Sequence, residues 1–145
     1  MLECYSRSIQ LFGGAGKGQH NKMVNQIILA GNMAGVAEGL LYASKVGLDL
    51  NQSIDLISLG AASSTALTVL GRRAVNGNYD PGFYVEHYIK DMEIALEEAS
   101  RADLCLPCLA IVKQLYNGLK AQGGGKLGTQ ALVKVLEQMN NHKIN

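Results

Sequence analysis

From Gln19 to about Val46 the sequence has no proline and no turn-forming cluster. This stretch constrains the fold more than any other feature of the chain. Met23, Ile27, Ala30, Ala34, Ala37, Leu41 and Ser44 recur at steps of three and four, the period of one helix face. A helix of roughly 28 residues at ~1.5 Å per residue is a rod of about 42 Å. Val24 and Ile28 make neighbouring faces apolar too, so the rod is expected to be buried on most faces. The shorter elements must be arranged around it. The expected fold is all-α, a helical bundle around one long central helix.

The remaining punctuation agrees. Gly47 stops the long helix, and Asp49 can cap a helix from Gln52 to about Leu59. A further helix is expected from Ser63 to about Ala74, then a loop from Asn76 to Gly82. Ile89, Met92, Leu96 and Ala99 lie on one face of a strong helix from about Val85 to Arg101. Pro107 suits a first helical position and opens a helix to about Ala121. Gly123, Gly124 and Gly125 break the chain, Thr129 caps a last helix ending near Met139, and the polar tail from Asn140 to Asn145 is expected to fray. Ahead of the long helix, Ile9–Phe12 reads as a short strand that ends in the glycine-rich loop Gly13–Gly18. The division expected is residues 1–18 as a joining segment and 19–145 as the helical domain.

A chain of 145 residues, 48% apolar, can bury one sizeable core. With 17% charged residues and a net charge of +1, it carries no electrostatic footprint for nucleic acid. Asn25, Gln26, Asn32 and Glu38 interrupt the long apolar stretch, which argues against a membrane span. Gly31, Gly35, Gly39 and Ala43 recur every four residues. Such a ladder lets another helix approach closely, either inside the domain or between subunits. Met1-Leu2-Glu3 starts no secretory signal. Cys4, Cys105 and Cys108 are too few for a disulfide framework, so a cytoplasmic setting is expected.

Several motifs invite a chemical reading. Gly14, Gly16 and Gly18 give G-x-G-x-G, with Gln19 where a dinucleotide fingerprint needs its last glycine. Gly18 follows Lys17 where a P-loop needs Ser or Thr. Cys105-Leu106-Pro107-Cys108 lacks both a thioredoxin-like setting and further metal ligands, and two buried helical cysteines are expected there. No metal site is expected, and His20, His87 and His142 pair with no nucleophile. Lys22 stands apart: it sits about one turn into the apolar helix, with Asn25 and Gln26 one turn further on. Poor solvation favours a neutral lysine that can exchange protons near neutral pH, and neighbouring amides can hold a hydroxyl or carbonyl. A solvated first-turn lysine is the plainer alternative.

The segment Gly13-Gly14-Ala15-Gly16-Lys17-Gly18-Gln19-His20-Asn21-Lys22-Met23-Val24-Asn25-Gln26 resembles the domain-joining segment of the 3-hydroxyisobutyrate dehydrogenase family, which includes tartronate semialdehyde and glyoxylate/succinic semialdehyde reductases. Ala37-Glu38-Gly39-Leu40, Gly47-Leu48-Asp49, Phe83 with Lys90-Asp91, and Leu106-Pro107 continue the resemblance in order. His20-Asn21 and Gln26 depart from its usual residues. The resemblance implies an oxidoreductase moving hydride between NAD or NADP and a 3-hydroxyacid or semialdehyde acid. It implies Lys22 as the catalytic acid/base, Asn25, Gln26, Phe83 and Asp91 as substrate-binding residues, and Lys90 as the residue that reaches the cofactor.

The family's Rossmann domain is absent from this sequence, and residues 2–12 resemble only its last helix and strand. The chain is therefore expected to be the C-terminal helical part of such an enzyme, inactive alone and binding no dinucleotide alone. Its expected partners are its own N-terminal Rossmann domain and copies of itself in a homodimer or homotetramer. A non-enzymatic oligomerisation or binding domain of a silent paralogue is the alternative.

Overall fold

The long apolar stretch folds as one uninterrupted helix, α1 (Lys17–Lys45), in a computed structural model that describes residues 9–145. Cys4 and the part of the joining segment in residues 1–8 lie outside them. Gly16 precedes α1 at φ 87°, a left-handed conformation that costs glycine little. At the far end Gly47 (φ +79°) closes a Schellman motif: Gly47 N–H donates to Ser44 O and Leu48 N–H to Ala43 O. Asp49 then caps α2 (Leu50–Ile57) by accepting from Gln52 N–H at 2.8 Å. A π-helical turn (Ala66–Gly71) leads into the short α3 (Arg72–Val75), followed by α4 (Val85–Arg101), α5 (Pro107–Ala121) and α6 (Val133–Asn140).

All of the longer helices pack on α1. Ala30, Met33, Ala37 and Leu40 form its inward stripe and meet Ile89 and Met92 of α4, Leu109 and Val112 of α5, and Leu132 and Leu136 near the C-terminus within one core. Fully burying a Leu, Ile or Met side chain stabilises by about 1.5–3 kcal/mol. Tyr88 of α4 and Tyr116 of α5 meet edge-on at 5.2 Å between ring centroids. Tyr116 donates to Thr129 O at 2.8 Å.

The all-α bundle agrees with the sequence reading, but several local expectations do not hold. Ile9–Phe12 forms no strand among the described residues; with no neighbouring strand, its backbone groups have no ladder to join. The helix expected from Ser63 is widened into the π turn, which carries Gly71 against α1, where an added Cβ would stand 3.0 Å from Val36 Cγ1. Thr129 starts a 3₁₀ turn (Thr129–Leu132) and makes no side-chain cap; its burial and its bond from Tyr116 hold it there. The tail is docked, not frayed. Ile144 is buried, its N–H donates to Glu137 Oε1, and His142 Nε2 lies 3.1 Å from Ser44 Oγ. Cys105 and Cys108 are exposed, because α5 turns Leu109 and Val112 into the core instead.

The largest difference concerns α1 itself. It is long and apolar enough to cross a membrane by length and composition, yet it is buried along a single stripe. Val24, Ile28 and Tyr42 are exposed. The glycine ladder makes almost no internal contact: Cβ atoms added at Gly35 and Gly39 would meet nothing within 4 Å, and one at Gly31 only Cys108 Sγ at 3.9 Å. Five shorter helices on one side of a rod cannot surround it.

Candidate functional site

The N-terminal part of α1 packs against α4, and the residues singled out on each converge. Lys22 is exposed, and its Nζ stands 5.9 Å from the centroid of the Phe83 ring, within reach of a cation–π attraction. Phe83 precedes α4 and packs against Tyr88 at 5.7 Å, with the rings tilted by 58°. Among the described residues Lys22 makes no ion pair, and its ammonium is free to meet a ligand.

The amides beside Lys22 are ordered by α4. Asn25 Nδ2 donates to Gln26 Oε1 at 2.8 Å. Gln26 Nε2 donates to Asp91 Oδ2 at 2.7 Å, across 65 positions of sequence. The second Asp91 oxygen lies 3.3 Å from Lys90 Nζ. The Asp91 side chain keeps 13% of its exposure and Lys90 keeps 65%, so the carboxylate is sheltered while the ammonium reaches solvent. Gln26 is buried at 1% exposure and Asn25 is exposed. A buried polar side chain in an apolar helix face needs partners, and Gln26 finds one at each end of its amide.

Lys22, Asn25, Gln26, Phe83, Lys90 and Asp91 are thus gathered in one place, but they are not equally available. Lys22, Asn25 and Lys90 are open to solvent, Phe83 is half-buried, and Gln26 is enclosed. Sequence reasoning missed Tyr88, whose phenol donates to Gln26 O at 2.8 Å. Burial, reinforced by the negative charge of Asp91, raises its pKa well above the ordinary value, so it remains a neutral donor. The signal was present: Tyr88 and Asp91 are three apart, hence neighbours on one helix face.

A separate apolar groove between α1, α2 and the π turn is lined by Gly35, Val36, Gly39, Ile54 and Leu67. Its walls are mostly aliphatic, unlike the Lys22 end, where charged and amide side chains gather. Among the described residues no three or more His, Cys, Asp or Glu side chains gather as metal ligands.

Residues 16–136 match the family described as "NAD-binding of NADP-dependent 3-hydroxyisobutyrate dehydrogenase". The chain is 49% identical over 133 residues to an Arabidopsis thaliana protein named "Probable 3-hydroxyisobutyrate dehydrogenase-like 1, mitochondrial", covering 92% of this chain and 40% of that protein. It is 41% identical over 144 residues to the Escherichia coli "2-hydroxy-3-oxopropionate reductase", covering 99% and 49%. A solved 3-hydroxyisobutyrate dehydrogenase from Mycobacterium tuberculosis, with L-serine, superposes with a TM-score of 0.83 at 25% identity, covering 93% of this chain and 48% of that one. The chain spans less than half the length of these relatives.

Proposed function

This chain belongs to the NAD-binding 3-hydroxyisobutyrate dehydrogenase family, and on that premise we propose that it is the helical half of an NAD(P)-dependent oxidoreductase acting on a 3-hydroxyacid or a semialdehyde acid. One observation carries the reading: the ammonium of Lys22, the open amide of Asn25, the ring of Phe83 and the paired Lys90 and Asp91 meet at one end of the bundle. The two exposed ammonium groups suit an anionic dinucleotide and a substrate carboxylate. A bound nicotinamide dinucleotide supplies or accepts the hydride.

The chain's own residues handle the proton and the substrate. In reduction Lys22 gives a proton to the oxygen of the carbonyl as that oxygen gains charge; in oxidation it takes the hydroxyl proton. Asn25 hydrogen-bonds the same oxygen or its neighbour. Phe83 forms one wall and keeps Lys22 beside an apolar surface. Lys90 faces the cofactor side. A dinucleotide-binding half of the length the relatives have in excess closes the site and excludes water from Lys22.

The test is Lys22→Ala in the protein joined to its dinucleotide-binding half. kcat should fall by roughly 10²- to 10⁴-fold, the scale of a lost general acid, with cofactor affinity unchanged. Near-normal turnover overturns the assignment.

The open ladder favours self-association as a further part of this reading. Gly35 and Gly39 face no atom of their own chain, and Ile28 and Tyr42 are exposed beside them. Copies of the chain meeting along α1 would cover that face.

A further inference from the structure

Of the two amides beside Lys22, only one can face a ligand, and the hydrogen-bond directions decide how. A carboxylate oxygen accepts and does not donate. The Gln26 end that meets Asp91 at 2.7 Å must therefore be Nε2. That leaves Oε1 at the other end, where it can only accept, and Asn25 must present Nδ2 to it at 2.8 Å. Asn25 then has no choice of orientation. It keeps its carbonyl Oδ1 and one N–H, and among the described residues neither has a partner.

The same residue is also held through its main chain. Tyr88, one turn before Asp91 on α4, donates to Gln26 O. Two neighbouring α4 side chains thus grip one α1 residue by its backbone and by its amide. The carbonyl of Gln26 is held at the depth in α1 where Lys22, Asn25 and Gln26 share a face. A plain helix–helix contact needs neither bond, since apolar packing of Met92 and Ile89 against α1 would do.

We propose that Asp91 and Tyr88 are positioning residues that act through Gln26 to fix the direction of the Asn25 amide, so that its remaining N–H is held for the substrate oxygen beside Lys22. The functional half of this inference rests on the reading of Lys22 and Asn25 given above. In oxidation the hydroxyl of a 3-hydroxyacid gives its proton to Lys22 while its oxygen accepts from the remaining Asn25 N–H. Without Asp91 the direction of the whole chain is undetermined: Gln26 can reverse, and Asn25 with it. Part of the population then meets the substrate with the two ends of the Asn25 amide exchanged.

The first experiment involves no turnover. In ¹⁵N-edited spectra of the 145-residue chain, the Gln26 side-chain amide protons should be shifted downfield and exchange with water more slowly than the Asn25 pair. Asp91→Asn, whose amide can turn either end to Gln26, should weaken that protection. Asp91→Glu, which keeps an acceptor-only carboxylate, should preserve more of it. A Gln26 amide that exchanges as fast as exposed side-chain amides in the unmutated chain overturns the inference at once. In the protein joined to its dinucleotide-binding half, Asp91→Asn should raise the hydroxyacid KM by roughly 5- to 50-fold, the effect of misplacing one hydrogen bond, with the cofactor KM unmoved. An unchanged hydroxyacid KM with a lowered Tm would reduce Asp91 and Tyr88 to structural residues. If Lys22→Ala keeps its turnover while the Gln26 amide is protected, the chemistry is wrong and the hydrogen-bond chain stands.

Discussion

The start and the middle of α1 both leave residues open to solvent, but for different reasons. Near its start, Lys22 and Asn25 are open while the residue beside them is clasped by α4 through both backbone and side chain. In its middle, Gly35 and Gly39 are open because an added Cβ at either would meet nothing within 4 Å, at the edge of the groove beside α2. The first kind of exposure is prepared: the groups that could satisfy each other have been given fixed directions, leaving one set of donors and acceptors outward. The second is vacant, with smooth backbone and apolar neighbours but no polar group aimed at anything. A prepared surface suits a small polar ligand, and a vacant one suits another helix.

Substitutions along α1 can break or sharpen that contrast. The largest effect should be at the prepared end, in the Lys22→Ala loss of kcat, measured beside a Gly35→Ala control that leaves kcat near normal. If both variants lose turnover, the two regions are not separate. Next is the stripe that faces neither solvent nor ligand. Met33 is 1% exposed amid the core, and Met33→Ala should cost about 2–5 kcal/mol in chemical denaturation. A cost below ~1 kcal/mol would mean that the bundle grips α1 less tightly than the burial implies.

Alkaline pH should loosen the clasp on α1. Burial raises the pKa of Tyr88 and Tyr116 above the ordinary value of 10.0. The unfolded chain loses these protons from about pH 10 upward while the folded chain keeps them, so unfolding is favoured as pH rises. Stability should be level through neutral pH and decline above about pH 10. Tyr88→Phe should flatten the decline, and an unchanged slope would exclude Tyr88 as its source. The smallest effect on stability should come from Gly35→Leu. An added Cβ meets no atom within 4 Å, and replacing a mid-helix glycine favours the helix by up to ~1 kcal/mol. Thermal stability should hold or rise while sedimentation shifts toward monomer. A loss of helical circular dichroism would show that the face is not vacant.

Much of this was legible in the residues. α4 and α5 begin and end where Val85, Arg101, Pro107 and Ala121 place them, because a periodic apolar face and a proline at the first position are local signals. Asp49 caps α2 for the same reason. Lys22, Asn25, Gln26, Phe83, Lys90 and Asp91 were named together from family resemblance, and the fold gathers them. Their division of labour was not legible, since whether Gln26 faces outward or toward Asp91 depends on how two distant helices rotate against each other. Ile144 illustrates the same limit. One apolar residue in a polar tail carries no periodicity, yet it docks because α6 ends beside α1. The exposure of Cys105 and Cys108 likewise follows from which face of α5 turns inward.

The docked tail gives the molecule a built-in yardstick. His142 is held at Ser44, and Lys22 lies on the same unbroken helix. The 22 intervening steps at ~1.5 Å each set the two roughly 33 Å apart along a rigid rod. A fluorophore carried at Asn145 would ride at one end of that rod while an acceptor dye near Lys22 rides at the other. Energy transfer between them would then report whether anything binding the chain bends its spine.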